Sequence, residues 1–197
     1  MGLSAGILIF ENVEELDFVG PLETFGNLAK VLPEENLQFF TVAERSATVK
    51  GVNGLQVVPD FTFANCPPVD ILVVPGGPGR FVEMKNPAVL QFVKGRAKDA
   101  KITTSVCTGA FILAEAGLLT GRRAITHWTY VDELRARGDV TVIQDRFVDD
   151  GNIITAAGIS AGIDMSLHLI GRLYGPDVAS KVARRMEYES PFLAAPQ

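Results

Sequence analysis

Only two cysteines and two histidines occur in the 197 residues. Cys66 and Cys107 lie far apart and neither belongs to a CxxC pair, so a disulfide framework and a zinc site are both unsupported. His127 and His168, unpaired in sequence, are too few to suggest a metal centre. Neither GxGxxG nor the Gly-Lys-Ser/Thr of a phosphate loop is present, which removes the nucleotide-binding fingerprints. Lys and Arg number 18 against 23 Asp and Glu, a net charge of −5. The basic residues cluster no further than Arg122-Arg123 and Arg184-Arg185, whereas nucleic acid binding needs a concentrated basic face. No apolar run approaches the ~20 residues of a bilayer span. The N-terminus lacks a basic leader segment and runs at once into Glu11, Glu14 and Glu15, so it reads as a first strand and not as a signal peptide. Gly6 stands where myristoylation needs Ser or Thr. These absences point to a reduced, cytoplasmic setting with no membrane and no nucleic acid partner.

What is present is a hydrophobic fraction of 47% with 21% charged residues, enough for one well-cored domain over residues 1–197. Gly6–Phe10 form a continuous apolar strand, as in a parallel sheet buried on both faces. A loop from Glu11 to Gly20 then carries Asp17. Pro21 suits the first turn of a helix with Leu22, Phe25, Leu28, Ala29 and Leu32 at helical spacing, ended by Pro33. Leu37–Ala43 is a second strand, and Val49–Pro59 a hairpin turning at Val52-Asn53-Gly54, placed at a sheet edge. Asp70–Pro75 is a buried strand leading into Gly76-Gly77-Pro78-Gly79 and a helix over Pro87–Lys98. Ile102–Val106 and a helix from Ala110 follow, then a short strand at Ala124–Thr126 and a helix from Trp128 to Arg137. Val140–Ile143, Arg146–Asp149 and Ile153–Ala156 are short strands, the last two joined at Asp150-Gly151-Asn152. Two helices close the chain, Ser160–Tyr174 with Ser160 as its cap and Pro176–Met186; the tail after Ser190 is expected to be loosely held. Alternating β and α elements predict a doubly wound, mainly parallel α/β sheet with helices on both faces.

Cys107 stands where the β-branched run Ile102–Val106 stops and Thr108-Gly109 turns into a helix. A thiol at such an elbow faces unpaired N–H groups and the positive end of the helix, which favour the thiolate. The alternative is an inert core thiol. Asp17, Gly76-Gly77, Cys107 and Gly158 each follow a predicted strand, and ligands in such sheets bind outside the carboxyl ends of the strands. That topology gathers all four on one edge and favours the catalytic reading. Burial and a neighbouring thiolate would each raise the Asp17 carboxyl pKa, suiting it to general acid and then base work; its alternative is a surface or capping carboxylate. Gly76 and Gly77 can offer backbone N–H groups to developing negative charge, or merely permit a tight turn. Thr108 can donate to substrate or simply begin the helix. His168 falls mid-helix in a structural position, His127 is expected to pack or hydrogen bond, and Cys66 before Pro67-Pro68 is a loop thiol without chemistry.

Leu16-Asp17-Phe18-Val19-Gly20-Pro21, Val74-Pro75-Gly76-Gly77, Ser105-Val106-Cys107-Thr108-Gly109-Ala110, Ala116-Gly117-Leu118-Leu119, Thr126-His127-Trp128 and Gly158–Asp164 together resemble the ThiJ/PfpI superfamily of class I glutamine amidotransferase-like domains, and within it the isocyanide hydratases. The resemblance covers nearly the whole chain. It implies a flavodoxin-like sandwich, Cys107 as nucleophile, Asp17 as the proton-handling carboxylate, and Thr108 with Gly77 around the reacting atom. It further implies Gly158 and Ile159 lining the pocket, a small-molecule substrate, a homodimer, and no cofactor. The histidine that follows the cysteine in protease-like members is replaced by Thr108, which removes the base a peptidase needs. Asp17, not Glu23, fills the place of the family's usual glutamate. Regulators that carry this domain ahead of a helix-turn-helix share several of these motifs, and a chain ending at Gln197 is expected to have no such module. Two other activities compete: a glyoxalase or deglycase using the same thiol, and a non-catalytic ligand-binding or redox-sensing module in which Cys107 is oxidised reversibly.

Overall fold

The computed structural model describes residues 2–193. In chain order the elements are β1 (Ser4–Leu8), α1 (Glu15–Val31), β2 (Gln38–Ala43), β3 (Val49–Lys50), β4 (Gln56–Val57), β5 (Phe61–Thr62), β6 (Ile71–Val74), α2 (Arg80–Glu83), α3 (Pro87–Asp99), β7 (Ile102–Val106), α4 (Gly109–Glu115), β8 (Arg123–Ala124), α5 (Val131–Ala136), β9 (Thr141–Val142), β10 (Phe147–Asp150), β11 (Ile153–Ala156), α6 (Ala161–Tyr174) and α7 (Pro176–Arg185). A seven-stranded sheet runs in the order β10-β11-β7-β6-β1-β2-β5, parallel throughout except for the antiparallel pair β10–β11. The central strands β6 and β7 are buried at every position, as their uninterrupted apolar and β-branched composition requires of strands covered on both faces. From β1 the chain steps to β2 on one side, and from β6 it steps to β7 on the other. Right-handed crossovers then place α1 and α3 on opposite faces. The crevice where the stepping direction reverses opens between β1 and β6, with β7 next to it.

Several boundaries differ from the sequence-based expectation, each for a physical reason. The first helix starts at Glu15, so Asp17 lies in its first turn and not in a loop, and Pro21 sits inside the helix. Only the bond that Pro21 would have donated to the Asp17 carbonyl is lost. Burial of Phe18, Phe25 and Leu28 outweighs it. The β3–β4 hairpin forms as expected but docks over the β1–α1 junction and not at the edge of the large sheet. Asn12 N–H donates to Lys50 O, Val52 N–H to Val13 O, and Glu15 accepts from Asn53. The edge strand beside β2 is β5, which was not anticipated. Two short helical elements were also missed or divided: α2 follows the glycine turn, and a 3-10 turn at Trp128–Tyr130 precedes α5. Ser160 makes no capping bond, because its hydroxyl accepts from Arg146 Nη2 at 3.0 Å instead. The segment after Ser190 is anchored as far as it is described: Ser190 Oγ donates to Asp164 at 2.7 Å, and the Phe192 ring meets Phe147 edge-on at 5.4 Å. Residues 194–197 lie outside the described residues.

Arg80, the first residue of α2, is fully buried. Its guanidinium carbon lies 4.1, 4.0 and 4.6 Å from the ring centres of Phe81, Phe111 and Tyr130, and its two terminal nitrogens meet Glu133 at 2.9 and 3.0 Å. Cation–π contact with a bidentate carboxylate compensates the desolvated charge, and the pair ties α2, α4 and α5 together behind the glycine turn. The partners are not equivalent, since the Arg80 side chain is 1% exposed and that of Glu133 47%. Glu133→Ala strands a buried cation and should cost about 3 kcal/mol. Arg80→Met keeps the volume and leaves a carboxylate that water can reach, so its cost should be clearly smaller. Urea unfolding of the two variants measures the asymmetry, and equal losses would contradict it.

Candidate active site

The carboxyl ends of β1, β6, β7 and β11 bring together the predicted residues. β7 must turn directly into α4, and Cys107 makes the turn with φ +57°, a conformation that costs a non-glycine residue roughly 1–3 kcal/mol and persists only when its surroundings hold it. Three bonds do so: the Cys107 N–H donates to Ala156 O at 3.1 Å and Ala157 O at 3.0 Å, and its carbonyl accepts from the buried Thr126 hydroxyl at 2.9 Å. Cys107 is 6% exposed, and its thiol is flanked by Thr108 and the Asp17 carboxyl.

Asp17 is wholly buried. Oδ2 accepts from the Gly76 N–H at 2.9 Å, while Oδ1 has no hydrogen-bond partner in the protein. A buried carboxylate oxygen left unpaired is costly unless it carries a proton. Burial is the main reason that the Asp17 pKa is pushed up to about 8, with the Glu14 charge adding to it and the Gly76 N–H opposing it. Location in the first turn of α1 favours the ionised form, but that dipole contribution of under about 2 kcal/mol loses to desolvation.

The thiol departs from the sequence-based expectation. Instead of favouring thiolate, the site pushes the Cys107 pKa up to about 12, first by burial and then by the charge of Asp17; both Thr108 donors pull the other way. The two groups therefore titrate as a pair. An ionised Asp17 keeps the thiol protonated, and a protonated Asp17 removes that repulsion and eases loss of the thiol proton.

Gly76 and Gly77 also play a role different from the expected one. Their N–H groups are occupied, Gly76 by Asp17 and Gly77 by Thr108 Oγ1 at 3.0 Å, so they position the carboxyl and the hydroxyl and do not form an open anion hole. With its oxygen accepting from the Gly77 N–H, the Thr108 hydroxyl has its proton free to point toward the sulfur or, at 3.5 Å, toward the Gly77 carbonyl. Gly76 cannot be replaced without movement, because a Cβ would stand 2.4 Å from Thr108 Oγ1 and 2.5 Å from Thr108 N. Gly158 and Ile159 follow β11 on the same edge. Ile159 has φ +45°, which is strained for a β-branched residue, and a Cβ on Gly158 would collide with the His127 ring at 2.0 Å. His127 is thus at the border of the site but bonded elsewhere: Nδ1 accepts from the Thr129 N–H at 3.3 Å, capping the Trp128–Tyr130 turn, and burial lowers its pKa. His168 is structural, 2.8 Å from Asp149. Cys66 lies in a loop as expected, but buried, with its thiol donating to Pro67 O at 3.3 Å. No group of three His, Cys, Asp or Glu side chains able to hold a metal occurs among the described residues, and no helix there is long and apolar enough to cross a membrane. A cavity of about 310 Å³ lined by Phe10, Glu11, Glu44, Val49 and Glu83 contains none of the predicted site residues.

Residues 4–172 match the model of the DJ-1/PfpI family. The chain belongs to the DJ-1/PfpI family. Among curated family relatives, an isonitrile hydratase of Pseudomonas putida is 42% identical over 188 residues, covering 95% of this chain and 79% of that protein. An HTH-type transcriptional regulator, GbdR of Pseudomonas aeruginosa, is 30% identical over 94% of this chain, which spans only 51% of the regulator's length. Among solved structures, a ThiJ/PfpI family protein of Pseudomonas syringae superposes with a TM-score of 0.88 at 33% identity, over all of this chain and 80% of that one.

Two supports of this site escaped sequence reasoning. Thr126 was visible in a motif, but its bond to Cys107 spans 19 residues; Glu14, the charge beside Asp17, had no distinguishing signal. Asp17 also makes stability depend on pH in a defined direction. Its folded pKa lies above the ordinary 3.8, so its contribution favours the fold below that value and is lost as pH rises through about 8. The melting temperature of Asp17→Asn relative to wild type should therefore climb between pH 4 and pH 9; a flat difference in thermal melts would contradict the raised pKa.

Proposed function

We propose that the chain hydrates organic isocyanides to N-substituted formamides through a covalent bond to Cys107. The observation that carries the reading is the wholly buried Asp17 with one unpartnered oxygen beside the Cys107 thiol. Similarity to the Pseudomonas putida isonitrile hydratase supports the choice of substrate. In the reactive form Asp17 holds the pair's proton and the sulfur is thiolate, stabilised by the two Thr108 donors. The thiolate attacks the terminal isocyanide carbon as Asp17 protonates that carbon, giving a thioimidate on Cys107. Water then adds to the same carbon. One of its protons returns to Asp17 and the other ends on nitrogen; the C–S bond breaks, releasing the formamide and regenerating the thiolate. No histidine is required, and one carboxyl serves as acid and then base. Gly158 and the strained Ile159 border the place where the substrate's organic group would lie. The homodimer implied by the family resemblance and the cytoplasmic setting implied by composition belong to the same proposal, and sedimentation velocity tests the first.

Cys107→Ala should abolish hydration and the covalent Cys107 adduct, heavier by one substrate mass, that rapid-quench mass spectrometry detects in wild type. Asp17→Asn should lower kcat by at least about 10²-fold, the scale of a lost general acid–base, and retained turnover in either variant would exclude the mechanism. Methylglyoxal assayed beside an aryl isocyanide separates this activity from glyoxalase chemistry. In wild type, kcat/KM should rise as pH climbs to about 8 and level off above it, because the reactive pair holds one proton and the fully protonated pair loses its first proton there. A rate that falls through pH 8 would assign the proton to another group.

A further inference from the structure

We propose that Thr126 is a positioning residue that aims the Thr108 N–H at the Cys107 sulfur by holding the Cys107 carbonyl; this rests on the reading of Cys107 as the nucleophile. The residues Ile125–His127 grip the site at three points. Ile125 N–H donates to Thr155 Oγ1 on β11 at 2.9 Å, Thr126 Oγ1 donates to Cys107 O at 2.9 Å, and the His127 ring lies against the Cα of Gly158. Thr126 is wholly buried, so its hydroxyl has no bulk water to bond with in place of the elbow.

The carbonyl it holds belongs to the peptide unit joining Cys107 to Thr108. That unit is planar and trans, so its C=O and its N–H point in opposite directions and rotate together. Fixing the carbonyl toward Thr126 therefore fixes the direction of the Thr108 N–H on the opposite side, a donor that favours the thiolate. The elbow needs such a clasp, because a cysteine at φ +57° relaxes toward commoner backbone angles unless bonds at both its ends oppose the change. The N–H end is held by Ala156 and Ala157 of the β11 terminus, and the carbonyl end by Thr126. Loss of the Thr126 hydroxyl leaves a buried carbonyl unpaired and frees the peptide to turn, which withdraws one of the donors that favour thiolate.

Alkylation of Cys107 by iodoacetamide, followed by mass spectrometry of its peptide between pH 6 and 10, tests this without any isocyanide. Thr126→Val removes the hydroxyl at nearly constant shape and should slow alkylation at pH 8 roughly tenfold, as expected for a lost buried hydrogen bond. Thr126→Ser restores the donor and should recover the rate to within about twofold. Thr104→Val is the control for general loosening, since it removes a comparable buried bond, Thr104 Oγ1 on β7 to Leu72 O on β6 at 3.2 Å, and should leave alkylation unchanged. Should Thr126→Val not fold by circular dichroism, Thr126→Ala against Thr126→Ser carries the same contrast. A wild-type rate in the hydroxyl-free variant, no recovery with Ser, or equal slowing in Thr104→Val would overturn the assignment. Absence of isocyanide turnover in wild type alongside the predicted alkylation pattern would instead refute the substrate and leave the clasp standing.

Discussion

The contact between the Asp17 carboxyl and the Cys107 thiol sets the requirements that the surrounding fold meets. Both groups are buried, and burial alone pushes each toward its neutral form. Two negative charges cannot coexist there, so deprotonation of one opposes deprotonation of the other. In the proposed reaction, turnover depends on which of the two holds the proton. Every polar contact around the pair bears on that distribution. The Gly76 N–H takes one Asp17 oxygen, Gly77 fixes the Thr108 hydroxyl, and Thr108 supplies two donors to sulfur.

The sheet makes this arrangement possible because three of its neighbouring strands, β1, β6 and β7, end at one crevice. β1 delivers Asp17 through the first turn of α1, β6 delivers the glycine turn, and β7 delivers the strained elbow. Arg80 behind the glycine turn and Thr126 beneath the elbow hold these pieces from outside the reacting atoms. Rigidity of this kind explains how a cysteine can remain at φ +57° and an isoleucine at φ +45° in one site, since strain persists only where the packing around it over-determines the backbone.

Much of this was legible in the chain. Buried parallel strands read as continuous apolar runs, so β6, β7 and β11 were recognisable within a residue or two, and their order placed Cys107, Gly76 and Gly158 on one edge before any coordinates. Asp17 was assigned correctly to that edge but to the wrong element, because proline preference for a first helical turn pointed to Pro21 while tertiary burial of Phe18 carried the helix back to Glu15. The thiol's protonation was misjudged for a related reason: N–H donors at the elbow can be counted from local sequence, whereas desolvation and a carboxyl from 90 residues away arise only on folding. Thr126 and Arg80 act through non-local bonds, and no periodicity or spacing announces those.

The protonation state of Asp17 is the central claim, and carbon-detected NMR titration of its side-chain carboxyl addresses it directly. The account predicts a carboxyl carbon that keeps the shift of the protonated acid through pH 6 and titrates near pH 8. A single titration near pH 4, in the range of an ordinary carboxylate, would contradict it.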